Sequence, residues 1–471
     1  MNRRHFFKKG SLFALGTSLL QPFDSFASND NYDATNKNKK AKNIIIVVSD
    51  GMSIGTLNMT DLYLSRATGK GSHWLELYKK NKVNRALMDM ASASSIVTDS
   101  AAASSSWGGG VRIANGALNV SQNGEAHLPI WQKFKKAGKK AGCVTSVPIT
   151  HATPAGFCVN SKSRNAQETI AEQYLEYKFD VMMGGGHKYF ASDKRKDKKD
   201  MYQAFVSQDY QVLRTKQDMV AASNHKPILG VFDDNALPYA IDRKQNKSLA
   251  QKIPTLAEMT AKAIAAMKDH DKGFVLQVEA GKVDWAAHGN DIAGLLHDQI
   301  DHDEAIKVAM DFAEDDGETL VIITTDHGNA NPGVIYGKNA NTNFDAIQNY
   351  KHTNEWILNG VGKETSVSQV KERIHYANTI ALTNDECQQL LDYYKNIPTA
   401  NGLYNPKHLP FNLLASIQKQ HNSVGWISMQ HSADYVELAM YGPGSQLLKP
   451  FIKNTDLHYL MLEAAEVENA F

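Results

Sequence analysis

Cysteine is scarce in this sequence of 471 residues, with Cys143, Cys158 and Cys387 as its three members. None of them has the CxxC spacing of a cysteine-built metal or redox site, so that class of site is excluded. Three thiols cannot all pair within one chain. A bridge between Cys143 and Cys158 is compatible with an oxidising compartment, and buried free thiols are the alternative.

An excess of either charge is also lacking. The chain has 51 Lys and Arg against 50 Asp and Glu, which gives a net charge of +1. A near-neutral surface argues against nucleic-acid binding as the main task, because phosphate backbones are bound mainly through basic side chains. Two short basic runs, residues 37–42 and 194–199, lie in polar surroundings. They indicate a linker and a solvated loop.

The N-terminal apolar stretch, residues 11–20, is too short to span a bilayer as a stable anchor. It follows Arg3-Arg4-His-Phe-Phe-Lys-Lys, which has the pattern of a twin-arginine export signal. Small residues at positions 25 and 27 predict cleavage after Ala27. Loss of the four basic and one acidic side chains of this segment would change the net charge from +1 to −2.

We therefore expect three parts in the chain: a signal peptide at 1–27, a polar linker at 28–42 and one large domain at 43–471. The twin-arginine export machinery is the expected partner of the signal. The expected location of the mature protein is the periplasm or the medium, with no stable membrane anchor.

Several apolar runs of strand length predict strands that are buried on both faces, at residues 43–49, 142–147, 274–279 and 319–325. Helical patterns such as residues 130–140 alternate with them. This order predicts an α/β fold with a doubly wound, mostly parallel central sheet and helices on both faces.

Two of these strands are followed directly by acidic residues. Asp50 comes after the first run, and Asp326 with His327 comes after the last. In open α/β sheets, ligands bind beyond the carboxyl ends of the strands. Either aspartate alone is better explained as a turn residue. Together they indicate a binding site at that edge.

A third strand leads into the most informative segment, which contains Glu279, Asp284 and His288. Asp284 and His288 are four residues apart, so on a helix they share one face and can bind one cation. Asp, Glu and His are ligands that Zn²⁺ and Mg²⁺ select. A solvated helix face is the commoner reason for such a pair, but the acids at the other strand ends favour a metal site.

The acidic segment at residues 297–304 is a useful comparison. The apolar residues around it have helical spacing, which predicts an amphipathic helix with its charges turned outward.

Ser100 is the candidate nucleophile. It precedes a run of small residues at 101–106, which predicts a helix whose N-terminus carries this serine. The free N–H groups and the dipole at that end favour a bound phosphate and a developing alkoxide. A simple helix-capping serine is the alternative, and spacing alone does not decide between the two.

Taken in order, these motifs resemble the alkaline phosphatase family. The resemblance covers about residues 43–340 and 425–450, and its fragments are Ser49-Asp50-Gly51-Met52, Val97-Thr98-Asp99-Ser100-Ala101, His151-Ala-Thr153-Pro154-Ala155, Arg164, the segment from Glu279 to His288, Thr325-Asp326-His327-Gly328, and His431 with Tyr441-Gly-Pro-Gly444. Several motifs in one order are a specific signal.

The resemblance implies hydrolysis of small-molecule phosphate monoesters through a phosphoserine on Ser100, at a site of two zinc ions and one magnesium ion. It implies that Arg164 binds the phosphoryl group as a bidentate guanidinium. The ligands that it implies are Asp284, His288 and His431 for the first zinc, Asp50, Asp326 and His327 for the second, and Asp50, Thr153 and Glu279 for magnesium. A homodimer is a further expectation from the family.

Two positions depart from the pattern of many relatives. Trp285 stands where relatives often have a lysine or histidine that assists phosphate binding. His151 stands two residues before Thr153, where some relatives have an acid. Both are candidate neighbours of the metal site, and the imidazole of His151 could favour zinc or cobalt over magnesium at the third position.

The stretch between His327 and His431 separates two ligands of one cluster, and it predicts an ordered insertion at about 340–425 before the last metal ligand. Helical patterns occur within it at residues 367–376, 383–397 and 413–420. Our hypothesis is that the insertion covers the rim of the site or contributes to a dimer contact.

Competing functions remain open at this level. A sulfatase needs a modified Cys or Ser in a C/S-x-P-x-R context, which the residues after Ser100 lack. A phosphodiesterase on the same scaffold would not need Thr153, Glu279 and Arg164 together. A protein that only binds metal or phosphate would not need Ser100 as a nucleophile.

We expect inorganic phosphate to inhibit the wild type less strongly than a Trp285→Lys variant. An indole has one donor and no charge, whereas an ammonium attracts the dianion. Inhibition constants measured for both proteins with one monoester substrate check this. Tighter inhibition of the wild type would contradict the prediction.

Overall fold

The computed structural model describes residues 40–400, 403–405 and 408–469. The predicted signal at 1–27 and residues 28–39 of the predicted linker lie outside this range. The helices are α1 Ile54–Thr68, α2 His73–Lys79, α3 Ser100–Gly109, α4 Ile130–Lys136, α5 Ala152–Cys158, α6 Gln167–Glu176, α7 Met201–Val206, α8 Lys216–Ala221, α9 Ala240–Gln245, α10 Lys247–Lys252, α11 Leu256–Met267, α12 Lys282–His288, α13 Ile292–Asp316, α14 Ala340–Ala346, α15 Asn354–Asn359, α16 Val367–Asn378, α17 Asn384–Asn396, α18 Phe411–Asn422 and α19 Asn454–Ala464.

The strands are β1 Asn43–Ser49, β2 Asn84–Asp89, β3 Lys140–Pro148, β4 Val181–Gly185, β5 Gln211–Leu213, β6 Ile228–Val231, β7 Phe274–Ala280, β8 Thr319–Thr324, β9 Gly328–Asn329, β10 Gly333–Val334, β11 Thr399–Ala400, β12 Leu403–Tyr404, β13 Val424–Gly425, β14 His431–Ser432, β15 Val436–Tyr441 and β16 Phe451–Lys453. All four strands predicted from apolar runs are present, as β1, β3, β7 and β8.

Ten of these strands form the central sheet, in the order β16-β2-β15-β8-β1-β7-β3-β4-β6-β5. Strand β15 is antiparallel to both of its neighbours, and the other neighbouring strands pair in parallel. Parallel strands require crossover connections, which the intervening helices supply. The predicted doubly wound, mostly parallel sheet is confirmed.

Both faces of the sheet are buried. In β1, Ile45 and Val47 contribute to one hydrophobic core, whereas Ile44, Ile46 and Val48 contribute to a second core on the opposite face. Successive side chains of a strand point to opposite faces, so a continuous apolar run needs helices on both sides. This explains why the strand sequences read as unbroken apolar runs.

The helix predicted at residues 130–140 is shorter in the structure, where α4 ends at Lys136. Gly138 has a φ of 86°, which an α-helix does not accommodate, and Lys140 begins β3. The lysines of this segment have high helix propensity, which is why a longer helix was predicted. Glycine just past the last turn of a helix is a common end signal, and here it ends α4.

The prediction that the acidic segment of α13 turns its charges outward is wrong. The helix is present, but Asp298, His302 and Asp303 are buried. The carboxylate of Asp303 accepts hydrogen bonds from the first two backbone N–H groups of α2, at 2.7 and 2.9 Å. Asp298 accepts from the N–H of Ala240 at 3.1 Å, at the start of α9. These acids are buried because they satisfy helix N-termini.

The three helices predicted in the insertion are present as α16, α17 and α18. Both ends of each helix lie within two residues of the predicted bounds. The role of the insertion stays a hypothesis. Among the helices of the described residues, none has both the length and the apolar character needed to cross a bilayer.

All three cysteines are buried free thiols. Of the two alternatives, the bridge between Cys143 and Cys158 is absent from the structure. The Sγ atoms of Cys143 and Cys158 lie 3.6 Å apart, between β3 and the end of α5. Burial raises the pKa of the Cys158 thiol well above its usual range, so this thiol is an unreactive part of the core.

Asp291 joins two helices, and its loss should destabilise the fold. Its Oδ1 accepts from Gly294 N at the start of α13, and its Oδ2 accepts from Asn354 N at the start of α15. We expect Asp291→Ala to cost about 2–3 kcal/mol, because two buried helix ends lose an acceptor. The measurement is the midpoint of thermal unfolding.

Asp291→Asn keeps one carbonyl oxygen and should have an intermediate midpoint. Asp315→Ala, at an exposed position of the same helix, is the control. Equal midpoints for Asp291→Ala and this control would contradict the expectation.

Candidate metal and nucleophile site

Three neighbouring parallel strands deliver the acidic residues of the site to one edge of the sheet. Asp50 follows β1, Glu279 lies at the end of β7, and Asp326 follows β8. Because β8, β1 and β7 are adjacent in the sheet, their carboxyl ends meet. All three side chains are completely buried.

The structure brings the predicted ligands into three groups that could each hold a cation. Within each group the ligand atoms lie within 4.8 Å of one another, and the groups are Asp284, His327 and His431; Asp50, Asp326 and His327; and Asp50, His151 and Glu279. Asp50 and His327 each belong to two groups, so the three positions form one continuous cluster.

His288 belongs with the first group. Its Nε2 lies 3.4 Å from Oδ2 of Asp284 and 3.1 Å from Nε2 of His431. The Nδ1 of His288 is 2.7 Å from the carbonyl oxygen of Met429, and the Nδ1 of His431 is 2.9 Å from that of Thr98. A carbonyl only accepts, so both Nδ1 atoms donate and both Nε2 atoms are left to bind a cation.

Buried polar atoms without hydrogen-bond partners show that these groups suit a cation. They are both carboxylate oxygens of Asp50, Oδ2 of Asp326, Oε1 of Glu279, Oγ1 of Thr153, Nδ1 of His151 and Nδ1 of His327. Buried polar groups are nearly always paired, so seven such atoms in one cluster need an explanation. Oxygen and imidazole donors in these numbers fit divalent ions.

The electrostatics lead to the same conclusion. Burial, and then the carboxylates of Asp326, Asp284 and Glu279, hold the pKa of Asp50 well above its usual range. Burial raises the pKa of Glu279 to about 7 and that of Asp326 to about 6. The ionised forms of these side chains therefore require nearby positive charge.

Gly51 shows how tightly this cluster is packed. Its φ is 70°, and a Cβ atom at this position would lie 2.5 Å from Oδ1 of Asp284. Its backbone N–H donates to Oδ1 of Asp326 at 3.0 Å. A side chain at residue 51 would displace one acidic ligand and strain the backbone.

Ser100 is the first residue of α3, as predicted. The preceding residue, Asp99, caps the helix by accepting from Ala102 N at 2.9 Å. The Oγ of Ser100 is 3.3 Å from Nε2 of His327, so the hydroxyl faces the cluster. The N-terminus of this ten-residue helix provides N–H groups and a positive dipole end for an anion.

Arg164 lies beside the serine. Its Nη1 donates to Oδ2 of Asp99 at 2.9 Å, and its Nη2 is 3.2 Å from Nε2 of His151. The carboxylate of Asp99 therefore fixes both the helix that carries Ser100 and the guanidinium. Trp285 completes this side of the site, with its ring centroid 6.3 Å from that of His151 in an edge-to-face arrangement.

Several contributors were missed by reasoning from the sequence. Asp99 was noted only as part of a motif, although it orients Arg164. The side-chain amide of Asn329 donates to Oδ1 of Asp284 at 2.7 Å, and the hydroxyl of Thr145 bonds Glu279. A polar residue just after a ligand-bearing strand could have indicated Asn329. The carbonyl groups that orient His288 and His431 have no signal in the sequence.

Comparisons with known proteins identify a matching family and several similar chains. The family described as alkaline phosphatase matches residues 41–467. The chain is 31% identical over 423 residues to alkaline phosphatase 4 of Bacillus subtilis (strain 168), covering 88% of this chain and 87% of that relative. It is 30% identical over 417 residues to the alkaline phosphatase of Escherichia coli (strain K12), covering 78% and 87%. The crystal structure of Thermus thermophilus alkaline phosphatase superposes with a TM-score of 0.84 at 32% identity, covering 92% and 94%.

We expect removal of divalent ions to lower the midpoint of thermal unfolding, because four buried carboxylates then repel one another. With free zinc a thousandfold above its Kd, binding contributes about 4 kcal/mol. Differential scanning calorimetry with a chelator and after zinc is restored measures this change.

In the Asp50→Asn variant the difference between the two conditions should shrink, because one shared ligand and one charge are removed. Asp311→Asn, at an exposed position of α13, should respond as the wild type does. A midpoint that a chelator leaves unchanged in the wild type would contradict the expectation.

Proposed function

We propose that this chain, which belongs to the alkaline phosphatase family and hydrolyses phosphate monoesters, does so through a phosphoserine on Ser100 beside two zinc ions and one magnesium ion. The observation that carries the proposal is the position of the Ser100 hydroxyl. It lies at the N-terminus of α3, 3.3 Å from Nε2 of His327, which belongs to two of the three ligand groups.

The donor set supports the assignment of the ions. Asp284, His288 and His431 would hold the first zinc; Asp50, Asp326 and His327 the second; and Asp50, Thr153 and Glu279 the magnesium. His151 lies within ligand distance of Asp50 and Glu279. Because its Nε2 accepts from Nη2 of Arg164, the proton of the neutral ring is on Nδ1, and His151 in this orientation supports Arg164 and does not bind a cation. A preference for zinc or cobalt at the third position would require this ring to release Arg164. When bound, such ions offset the charge of the phosphoryl group and of the oxygens that attack and leave.

The residues of the chain supply the remaining chemistry. Ser100 Oγ forms a bond to phosphorus as the bond to the alcohol oxygen breaks, and the hydroxyl proton ends on the released alcohol. Water then attacks phosphorus, the bond to Oγ breaks, and inorganic phosphate leaves with the serine restored. The N-terminus of α3 favours the negative charge on Oγ during both steps.

Arg164 would bind two phosphoryl oxygens and hold phosphorus in line with Ser100. The ion pair with Asp99 limits the orientations of the Arg164 guanidinium. The carboxylate of Asp99 also accepts from the N–H groups of Ala102 and Gly116, so part of its negative charge is offset by these groups. The guanidinium therefore keeps positive charge with which to bind phosphate. Positioning of this kind contributes to the rate without any covalent role.

We also propose that the protein is exported to the periplasm or the medium by the twin-arginine machinery and forms a homodimer. The paired Arg3 and Arg4 support the first statement, and membership of the family supports the second.

Ser100→Ala should lower kcat by about a thousandfold or more, because it removes the hydroxyl that takes the phosphoryl group. The measurement is release of p-nitrophenol from p-nitrophenyl phosphate, with bound zinc and magnesium determined for each protein. Mass spectrometry of acid-quenched wild type should identify phosphate on the peptide that contains Ser100.

Ser106→Ala is the matched control, because this serine is buried in the same helix and donates only to the carbonyl of Ala103. It should keep both its turnover and its phosphopeptide. Turnover by a metal-loaded Ser100→Ala protein at the wild-type rate would contradict the proposed intermediate.

A further inference from the structure

Lys282 is a buried cation directly behind the phosphate-binding side of the site. It is the first residue of α12, and only 4% of its surface is exposed. Burying an ammonium is costly, and a methionine would fill the same space at a much smaller desolvation cost. The carboxylates of Glu355, Asp298, Asp242 and Asp291 offset part of this cost, although burial still lowers the pKa of Lys282. The reaction proposed above gives this lysine no role.

The Nζ of Lys282 lies against aromatic faces. It is 3.5 Å from the centroid of the Tyr239 ring and 4.9 Å from the centroid of the Trp285 ring. Both distances are within the range of cation–π attraction, which strengthens as water is excluded. Lys282 and Trp285 are also one turn apart on α12, so their side chains are neighbours on one face of this helix.

A continuous series of contacts connects this lysine with the guanidinium that binds phosphate. The ring of Trp285 meets the ring of His151 edge to face, with centroids 6.3 Å apart. Nε2 of His151 is then 3.2 Å from Nη2 of Arg164. A ring that turned away from His151 would remove the support on that side of Arg164.

The surroundings of Lys282 keep this arrangement in place. Tyr239, whose ring the ammonium contacts, is 5% exposed and packs against Gly294, where a Cβ atom would lie 3.2 Å from the tyrosine ring. The backbone N–H of Lys282 donates to the Ser146 hydroxyl at 3.1 Å. The start of α12 is therefore fixed, and the ammonium has little freedom to move.

We propose that Lys282 is a positioning residue for phosphate binding, which acts by holding Trp285 against His151 and thereby fixing Arg164. This inference rests on the proposed function, because it assigns Arg164 to the phosphoryl group. The Nζ of Lys282 contacts the rings of Tyr239 and Trp285, and neither of these residues belongs to a ligand group.

The test is a double-mutant cycle on the holoenzyme with Lys282→Met and Trp285→Phe. Lys282→Met keeps the length of the side chain and removes its charge. We expect it to raise the inhibition constant of inorganic phosphate and the KM for p-nitrophenyl phosphate by about threefold to tenfold, with a smaller change in kcat. In the Trp285→Phe background the same substitution should change these constants less than about twofold, because its path to Arg164 is already weakened.

Lys282→Arg retains a cation over the rings and should restore most of the affinity for phosphate. Lys252→Met, at an exposed position of α10, is the matched control and should leave all constants unchanged. Bound metal and the midpoint of thermal unfolding are measured for every variant, because a merely structural lysine would change those quantities instead. If Lys282→Met does not fold, Lys282→Gln replaces it in the cycle.

Three results would overturn the proposal: an unchanged inhibition constant in Lys282→Met, an equal effect in both backgrounds, or a loss of affinity that only follows loss of metal. A failure of the proposed function can be distinguished from these three results, because it would be observed in the wild type and not only in the variants. A wild type without a phosphopeptide at Ser100 would reject the proposed intermediate, whereas an active wild type with an insensitive Lys282→Met would reject only the role of Lys282.

Discussion

The charge concentrated at one edge of the sheet is the constraint on which the rest of the structure depends. Parallel strands place Asp50, Glu279 and Asp326 side by side in the interior, and Asp284 adds a fourth buried carboxylate. Carboxylates so close together cannot all be ionised without compensating cations. The imidazoles lie among these carboxylates, and the N-terminus of α3 and the guanidinium of Arg164 lie beside them. Each of these groups can bind a cation or an anion at this edge of the sheet.

Buried acids elsewhere in the protein show what distinguishes a site from ordinary structure. Asp291 and Asp303 are as buried as the acids of the cluster, but each uses both oxygens on backbone N–H groups at helix starts. The oxygens of Asp50 have no such donors. Whether a buried acid is paired is therefore more informative than whether it is buried.

Much of the fold and the site could be predicted from the sequence because both depend on local patterns. Strands buried on two faces produce unbroken apolar runs, and the acids that follow them mark the edge of the sheet. The prediction that the acids of α13 face solvent is wrong for a physical reason. These acids accept hydrogen bonds from the starts of helices that are distant in sequence, so no local pattern indicates their burial. The carbonyl groups of Thr98 and Met429 could not be predicted either, because any residue provides a carbonyl.

The small antiparallel pair of β14 and β9 determines when the site can be completed. It aligns His431 with Asn329, so the last ligand reaches the cluster only after the whole insertion has been synthesised. Contacts between residues so distant in sequence form late, because the intervening chain must be ordered first. On the ribosome, metal ions would thus meet a nearly complete protein, and a nascent fragment that ends within the insertion would carry the acids without their final imidazole.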